Sequence, residues 1–225
     1  MSKLIVFGSL FCFAAFTPAV AQFDVCADIV SGYVWRGSIL ADGPSIQPCI
    51  SYATGSDAAS LEVGAWGSYS FFGTGNGDWV RPSTEADLYA TLGLGPVSLT
   101  ITDYYFPSAA IEYFDYDGGH TLEAALGVEI GGLSLLGAYN FAGARDLNGD
   151  GKDDPGVYFE AAYSFSGGAK VFAGLGDEFY QAESFGLVNL GVGYEKLILE
   201  KLPAFGQVVV NPEAESFAIV FGISL

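Results

Sequence analysis

Along the chain from residue 24 to its end, apolar and polar side chains alternate in short runs, and the last run places Phe217, Ile219, Phe221, Ile223 and Leu225 on a single parity. Alternation with a period of two is the signature of a β-strand with one apolar face, because successive side chains leave opposite sides of the sheet. The pattern predicts strands over 24–35, 45–53, 60–72, 84–93, 97–106, 119–130, 133–141, 157–165, 169–176, 185–194, 204–211 and 215–225. Tight breaks at Gly93 to Pro96, Gly131-Gly132 and Ser166 to Gly168 alternate with longer connections at 36–44, 73–83, 107–118, 142–156 and 177–184. Short turns at one end and longer loops at the other are the rhythm of an up-and-down barrel. The link 195–203 and the connection Pro212 to Ala214 depart from it, being long and short at the wrong ends.

The composition of the two faces decides which side meets the apolar phase. One face carries Leu61, Val63, Ala65, Tyr69 and Phe71, then Leu88 and Leu92, then Leu122, Leu126 and Ile130, then Leu133, Leu135 and Phe141. The other carries Glu62, Gly64, Ser68, Glu85, Asp87, Glu123, Gly127, Glu129, Asn140, Glu160, Gly174 and Asn189. A water-soluble barrel would have to crowd every large residue inside while showing water a glycine-rich surface. A barrel in lipid needs no such crowding, so the fold class expected is an all-β, transmembrane, antiparallel up-and-down β-barrel of about 12 strands. Tyr33, Trp35, Tyr69, Phe71, Tyr105, Tyr139, Phe141 and Phe159 fall at the loop ends of strands, and Tyr52, Tyr163, Phe165 and Tyr194 at the turn ends. Two such belts suit the two membrane–water interfaces.

The first residues change the picture only by adding an address. Lys3, an apolar run from Leu4 to Phe16, the breaker Pro18 and the small triplet Ala19, Val20, Ala21 read as a signal peptide over 1–21, cleaved before Gln22, with 22–225 as the barrel domain. No later segment offers the run of roughly 18 apolar residues that a spanning helix needs. Among 225 residues there are 8 basic and 26 acidic ones, for a net charge of -18, and the mean hydropathy is +0.37. Nucleic acid is excluded as an expected partner by that charge, since phosphate binding needs Lys and Arg. The expected partners are outer-membrane lipid and small solutes; no oligomeric state is assigned.

The run Ser31-Gly32-Tyr33-Val34-Trp35-Arg36-Gly37, followed by Gln47-Pro48, resembles the opening of the TorF-type porin family of bacterial outer-membrane proteins. The likeness continues through Gly64-Ala65-Trp66-Gly67-Ser68-Tyr69, Glu85-Ala86-Asp87-Leu88-Tyr89 and Thr102-Asp103-Tyr104-Tyr105-Phe106-Pro107, so it covers mainly the first half of the chain after residue 21. What it implies is a porin fold in the bacterial outer membrane.

Candidate chemistry concentrates on the inward parity. Asp28, Glu62, Glu85, Asp87, Glu123, Glu129 and Glu160 share it, against Arg36 and Lys170. Carboxylates in a narrow, low-dielectric passage attract cations, so a conducting barrel would prefer them. Arg36 at the mouth of the first strand is either a selectivity charge or the structural partner of an acid such as Asp103 or Glu85. The competing reading is a small barrel plugged by Trp66, Tyr89 and these side chains, serving as an anchor or surface-binding module. Cys26 and Cys49, on neighbouring strands with both sulfurs inward, form a disulfide candidate. Asp146, Asn148, Asp150, Lys152 through its carbonyl, and Asp154 occupy alternate positions of a calcium-loop pattern, although Val157 stands where a full EF-hand has its bidentate Glu. Calcium in 146–154 is a possible ligand, and no cofactor is required. The lone histidine, His120, sits on the lipid-facing parity without the Ser and Asn neighbours of a phospholipase site, so no enzyme is expected.

Overall fold

The computed structural model describes residues 21–71, 84–107, 113, 114, 116, 119–143 and 155–225. The signal-peptide segment 1–20 and the calcium-loop residues 146–154 lie outside the described residues. The strands are β1 (Gln22–Val30), β2 (Tyr33–Trp35), β3 (Ser38–Ala41), β4 (Ser45–Gly55), β5 (Ser60–Ser70), β6 (Thr84–Leu94), β7 (Val97–Tyr105), β8 (His120–Ile130), β9 (Leu133–Ala142), β10 (Val157–Ser164), β11 (Ala169–Gly176), β12 (Gly186–Ile198), β13 (Leu202–Asn211) and β14 (Ser216–Ser224). Among the described residues one 3-10 turn, Glu178–Tyr180, interrupts them, and no helix is long and apolar enough to cross a membrane.

Twelve of these strands close into one antiparallel barrel, each paired with its chain neighbour except where β1 skips β2 and β3 to join β4. Closure runs through β1 and β14, with Asp28 opposite Ser224 and Val30 opposite Gly222. A closed sheet leaves no unpaired edge, which is the condition for strands to sit in lipid. The ladder sets Cys26 opposite Cys49, and the two form a disulfide with Cα atoms 5.0 Å apart. This bridge clips β1 to β4 at the base of the segment that β2 and β3 occupy. By the chain-entropy argument a loop of that size is worth about 3 kcal/mol.

The period-two alternation sorts the faces as physics demands. Leu61, Val63, Leu88, Leu92, Leu126, Ile130, Phe159, Val192, Phe217 and Phe221 are exposed on the outside, whereas Glu62, Ser68, Glu85, Asp87, Thr100, Thr102, Glu123 and Asn189 are buried inside. The termini share one end of the barrel with the short turns, called here the turn end. The other is the loop end.

Two expected boundaries are corrected. The first wall strand stops at Val30 rather than 35, because 33–35 belong to the separate β2–β3 hairpin. Its two-residue turn, Arg36 at φ 49 and Gly37 at φ 85, has both residues in the left-handed region, as the tightest hairpin connection requires. The expected long link 195–203 is also absent: β12 and β13 stay paired to Ile198 and Leu202, and a short turn with Leu199 and Glu200 at positive φ joins them. Glu195, Lys196 and Lys201 stand in this stretch, and charges at a barrel rim are solvated and do not break a ladder.

Candidate functional site in the barrel lumen

The β2–β3 hairpin folds into the barrel and crosses its interior. Val34, with Ile39 packed beside it, joins Val30, Val209 and Val220 in an apolar patch on the β13–β14 side. Trp35 reaches the opposite side, 5.5 Å from the Tyr104 ring and 5.4 Å from Tyr180. Tyr33 packs on Trp66 of β5 at 5.6 Å, and the hairpin turn meets β12 through Gly37, whose α-hydrogen side faces the Val188 carbonyl. The hairpin therefore touches walls all round the lumen, and apolar burial on two sides is what draws it inward.

Arg36 is the anchor. Only 8% exposed, it donates to both carboxylate oxygens of Glu123, at 2.5 Å from Nη1 and 2.8 Å from Nη2. Nη1 also donates to the Tyr180 hydroxyl at 2.8 Å, and the guanidinium lies 4.6 Å from the Trp35 ring centroid and 4.7 Å from that of Tyr158. A planar, permanently charged fork between aromatic faces and a carboxylate uses arginine in a way lysine cannot reproduce. Tyr104 donates to Glu123 at 3.2 Å, completing that carboxylate. The partner is therefore neither Asp103 nor Glu85, and Arg36 lies on the inserted hairpin rather than at the mouth of the first strand.

The second inserted piece is the connection between β11 and β12. Asp177 caps its 3-10 turn, accepting from the Phe179 amide at 3.1 Å and from the Val157 amide of β10 at 2.6 Å. That clamp turns Tyr180 into the lumen, where it is fully buried and accepts from Asn140 at 3.3 Å. Burial pushes the Tyr180 phenol up to about 12, so it stays protonated. Tyr33 is likewise held well above its ordinary value, first by burial and then by the charges of Glu85 and Asp87, and it hydrogen-bonds Glu85.

Of the acidic residues singled out in the sequence, Glu85, Asp87 and Glu123 gather near the loop end against the hairpin, all three buried. Glu160 lies in mid-lumen, accepting from Tyr158 at 2.6 Å and Asn189 at 3.0 Å. Glu62 accepts from Tyr89 at 2.8 Å, and Glu62 and Glu129 sit towards the turn end, where Lys170 acts on Glu129. Asn140 and Asn189, on the polar parity read from the sequence, join this web, whereas Tyr104, Tyr158 and Tyr180 were not expected from the sequence.

Tyr33 is buried and Trp35 half-buried; both pack inside the lumen and do not belong to the loop-end belt. Tyr69, Phe71, Tyr139, Phe141 and Phe159 do face outward. Asp103 also lies on the outward parity. It bonds His120 Nδ1 at 2.7 Å and accepts from Tyr116 at 3.1 Å. His120 is not an exposed interface residue: the Tyr105 and Tyr116 rings stack on its two sides, and its Nε2 meets the Tyr113 carbonyl. With both ring nitrogens engaged, the imidazole is a packing element of the rim.

A closed barrel with an apolar outer face and a polar interior is a transmembrane β-barrel of the up-and-down class. The same fold is seen in the crystal structure of the COG4313 outer membrane channel from Pseudomonas putida F1, which is 14% identical, with 93% of this chain and 95% of that one covered at a TM-score of 0.50. A mutant porin of Rh. blastica (11% identity, 92% and 99% covered, TM-score 0.40) and Salmonella typhi OmpF in complex with daunomycin (6%, 91% and 97%, 0.34) also align. By sequence the chain belongs to the Gcw_chp family, described as bacterial protein of unknown function, whose model matches residues 17–218. No curated protein sequence matches it.

Proposed function

We propose that the protein is a porin-like channel of the bacterial outer membrane, of the TorF type, exported with loss of residues 1–21, through which small cationic or neutral solutes diffuse. The loop end then faces outside the cell. The observation that carries this reading is the interior of a closed barrel, where Glu62, Glu85, Asp87 and Glu123 are buried and which a hairpin held by Arg36 and Glu123 enters. An inserted segment at one level sets the free bore while the rest of the lumen stays a vestibule. Glu62, Glu129 and Glu160 lie on the turn-end side of the hairpin and set the sign of the field a solute meets there.

A second reading, a non-conducting barrel that displays its outer loops, is favoured by one observation: Arg36, Glu123, Tyr104, Tyr158 and Tyr180 are all buried and linked in one network. Planar-bilayer recording separates the two. For the channel, residues 22–225 give discrete current steps whose reversal potential across a salt gradient marks cation preference. The triple variant Glu62→Gln, Glu129→Gln, Glu160→Gln keeps the steps and moves the reversal potential towards zero. Inserted protein that carries no current makes the barrel an anchor.

A further inference from the structure

We propose that a calcium-class divalent cation binds Asp87 and Glu85 on the inner face of β6, beneath Tyr33, and ties the inserted hairpin to the barrel wall. Asp87 is 1% exposed, and neither of its carboxylate oxygens finds a hydrogen-bond partner. The Tyr105 amide acts on it without closing a hydrogen bond of ordinary geometry. Among the described residues the ion pairs are Arg36 with Glu123 and His120 with Asp103, so neither of these basic groups is paired with Asp87. A buried carboxylate with both oxygens idle is among the most costly arrangements a protein can hold, and a proton relieves only one of the two oxygens. A cation relieves both.

The surroundings supply the remaining oxygens. Glu85 is two residues away on the same face, close enough for its charge to act directly on Asp87. The ladder sets Ser68 opposite Glu85 and Tyr104 opposite Asp87, and Tyr33 comes down from the hairpin onto Glu85. Two carboxylates with hydroxyls and water form a hard, irregular, doubly negative oxygen site, which suits Ca2+ better than the strict octahedron of Mg2+. Because Tyr33 belongs to the hairpin and Asp87 to the wall, the ion would strengthen their contact.

The test is terbium luminescence, sensitised by Tyr33, Trp66 and Tyr104, on folded protein in detergent, with Ca2+ as competitor. The background carries Asp146→Asn, Asp150→Asn and Asp154→Asn, which silences the 146–154 loop. One saturable site displaced by Ca2+ is expected, weakened at least tenfold by Asp87→Asn and also weakened by Glu85→Gln. Asp87→Asn is an isostere that removes an unpaired charge, so it folds, and the heat-modifiable mobility of the barrel on a gel verifies that. Binding unchanged in Asp87→Asn overturns the proposal. So does the absence of any saturable site, with an infrared carboxylic-acid band lost in Asp87→Asn, which would mean that Asp87 holds a proton. The assay reads binding without a membrane, so its failure is separate from failure of the channel reading.

Discussion

Glu123→Ala opens the barrel: its unitary conductance rises several-fold over the parent and the current becomes noisy. The substitution strips both carboxylate oxygens from Arg36 and leaves a guanidinium buried against aromatic rings. Breaking one side of a buried ion pair costs about 3–5 kcal/mol, more than enough to unseat a hairpin with three residues in one strand and four in the other. The wall ladders of β8 do not involve the lost side chain, so the barrel itself persists. The double variant Arg36→Met, Glu123→Met separates charge from packing. It removes both ions, keeps apolar bulk between Trp35 and Tyr158, and returns the conductance close to the parent. Parental conductance in Glu123→Ala would mean that the ion pair does not hold the hairpin.

Gly37→Val expels the hairpin by a different route, sterically and without touching a charge. Gly37 sits at φ 85, and a Cβ there would lie 1.9 Å from the Val188 carbonyl oxygen of the barrel wall. A β-branched residue in the left-handed region costs on the order of 1–3 kcal/mol before any clash. The clash is with backbone held in the β12 ladder, so it cannot be relieved by a rotamer change. In a Trp66→Phe, Trp79→Phe background the remaining tryptophan, Trp35, reports the result. Its emission shifts to the red and acrylamide quenching rises severalfold as the ring leaves Tyr104 and Tyr180. Unchanged emission would place the hairpin elsewhere.

The barrel was legible because lipid and lumen impose opposite demands on alternate residues, and most positions of the wall strands follow that alternation. The wall face of Glu62, Glu85, Asp87, Glu123, Glu129 and Glu160 could be read for the same reason. The inserted hairpin could not. Tyr33, Val34 and Trp35 continue the alternation of β1, and the Arg36-Gly37 turn lacks the Asn-Gly or Asp-Gly pair that ordinarily announces a two-residue hairpin. Two bonded side chains, Arg36 and Glu123, stand 87 residues apart, a pairing that only the closed barrel creates.

Tyr180 was hidden in a connection of ordinary loop composition. One signal did exist. Inward tyrosines face inward glycines: a Cβ on Gly174 would come 2.2 Å from the Tyr158 hydroxyl, and one on Gly176 would come 2.8 Å from the Tyr180 ring. Glycines on the lumen parity of β11 thus mark where the interior is filled by large rings rather than left open. The two valines at 209 and 220 mark the seat of the hairpin in the same way, since an apolar residue on a polar face needs something to cover it.

In the proposed channel the lumen conducts and the β2–β3 hairpin limits the flow. Val30 and Ser45 are ladder partners, so a short Gly-Ser turn in place of residues 32–43 joins β1 to β4 directly and leaves the wall intact. The decisive measurement is the unitary current of this shortened barrel beside the intact one, in the same bilayer and salt gradient. Cation-selective steps in both, several-fold larger in the shortened barrel, are the predicted result. Equal currents, or silence from both inserted proteins, would contradict the account.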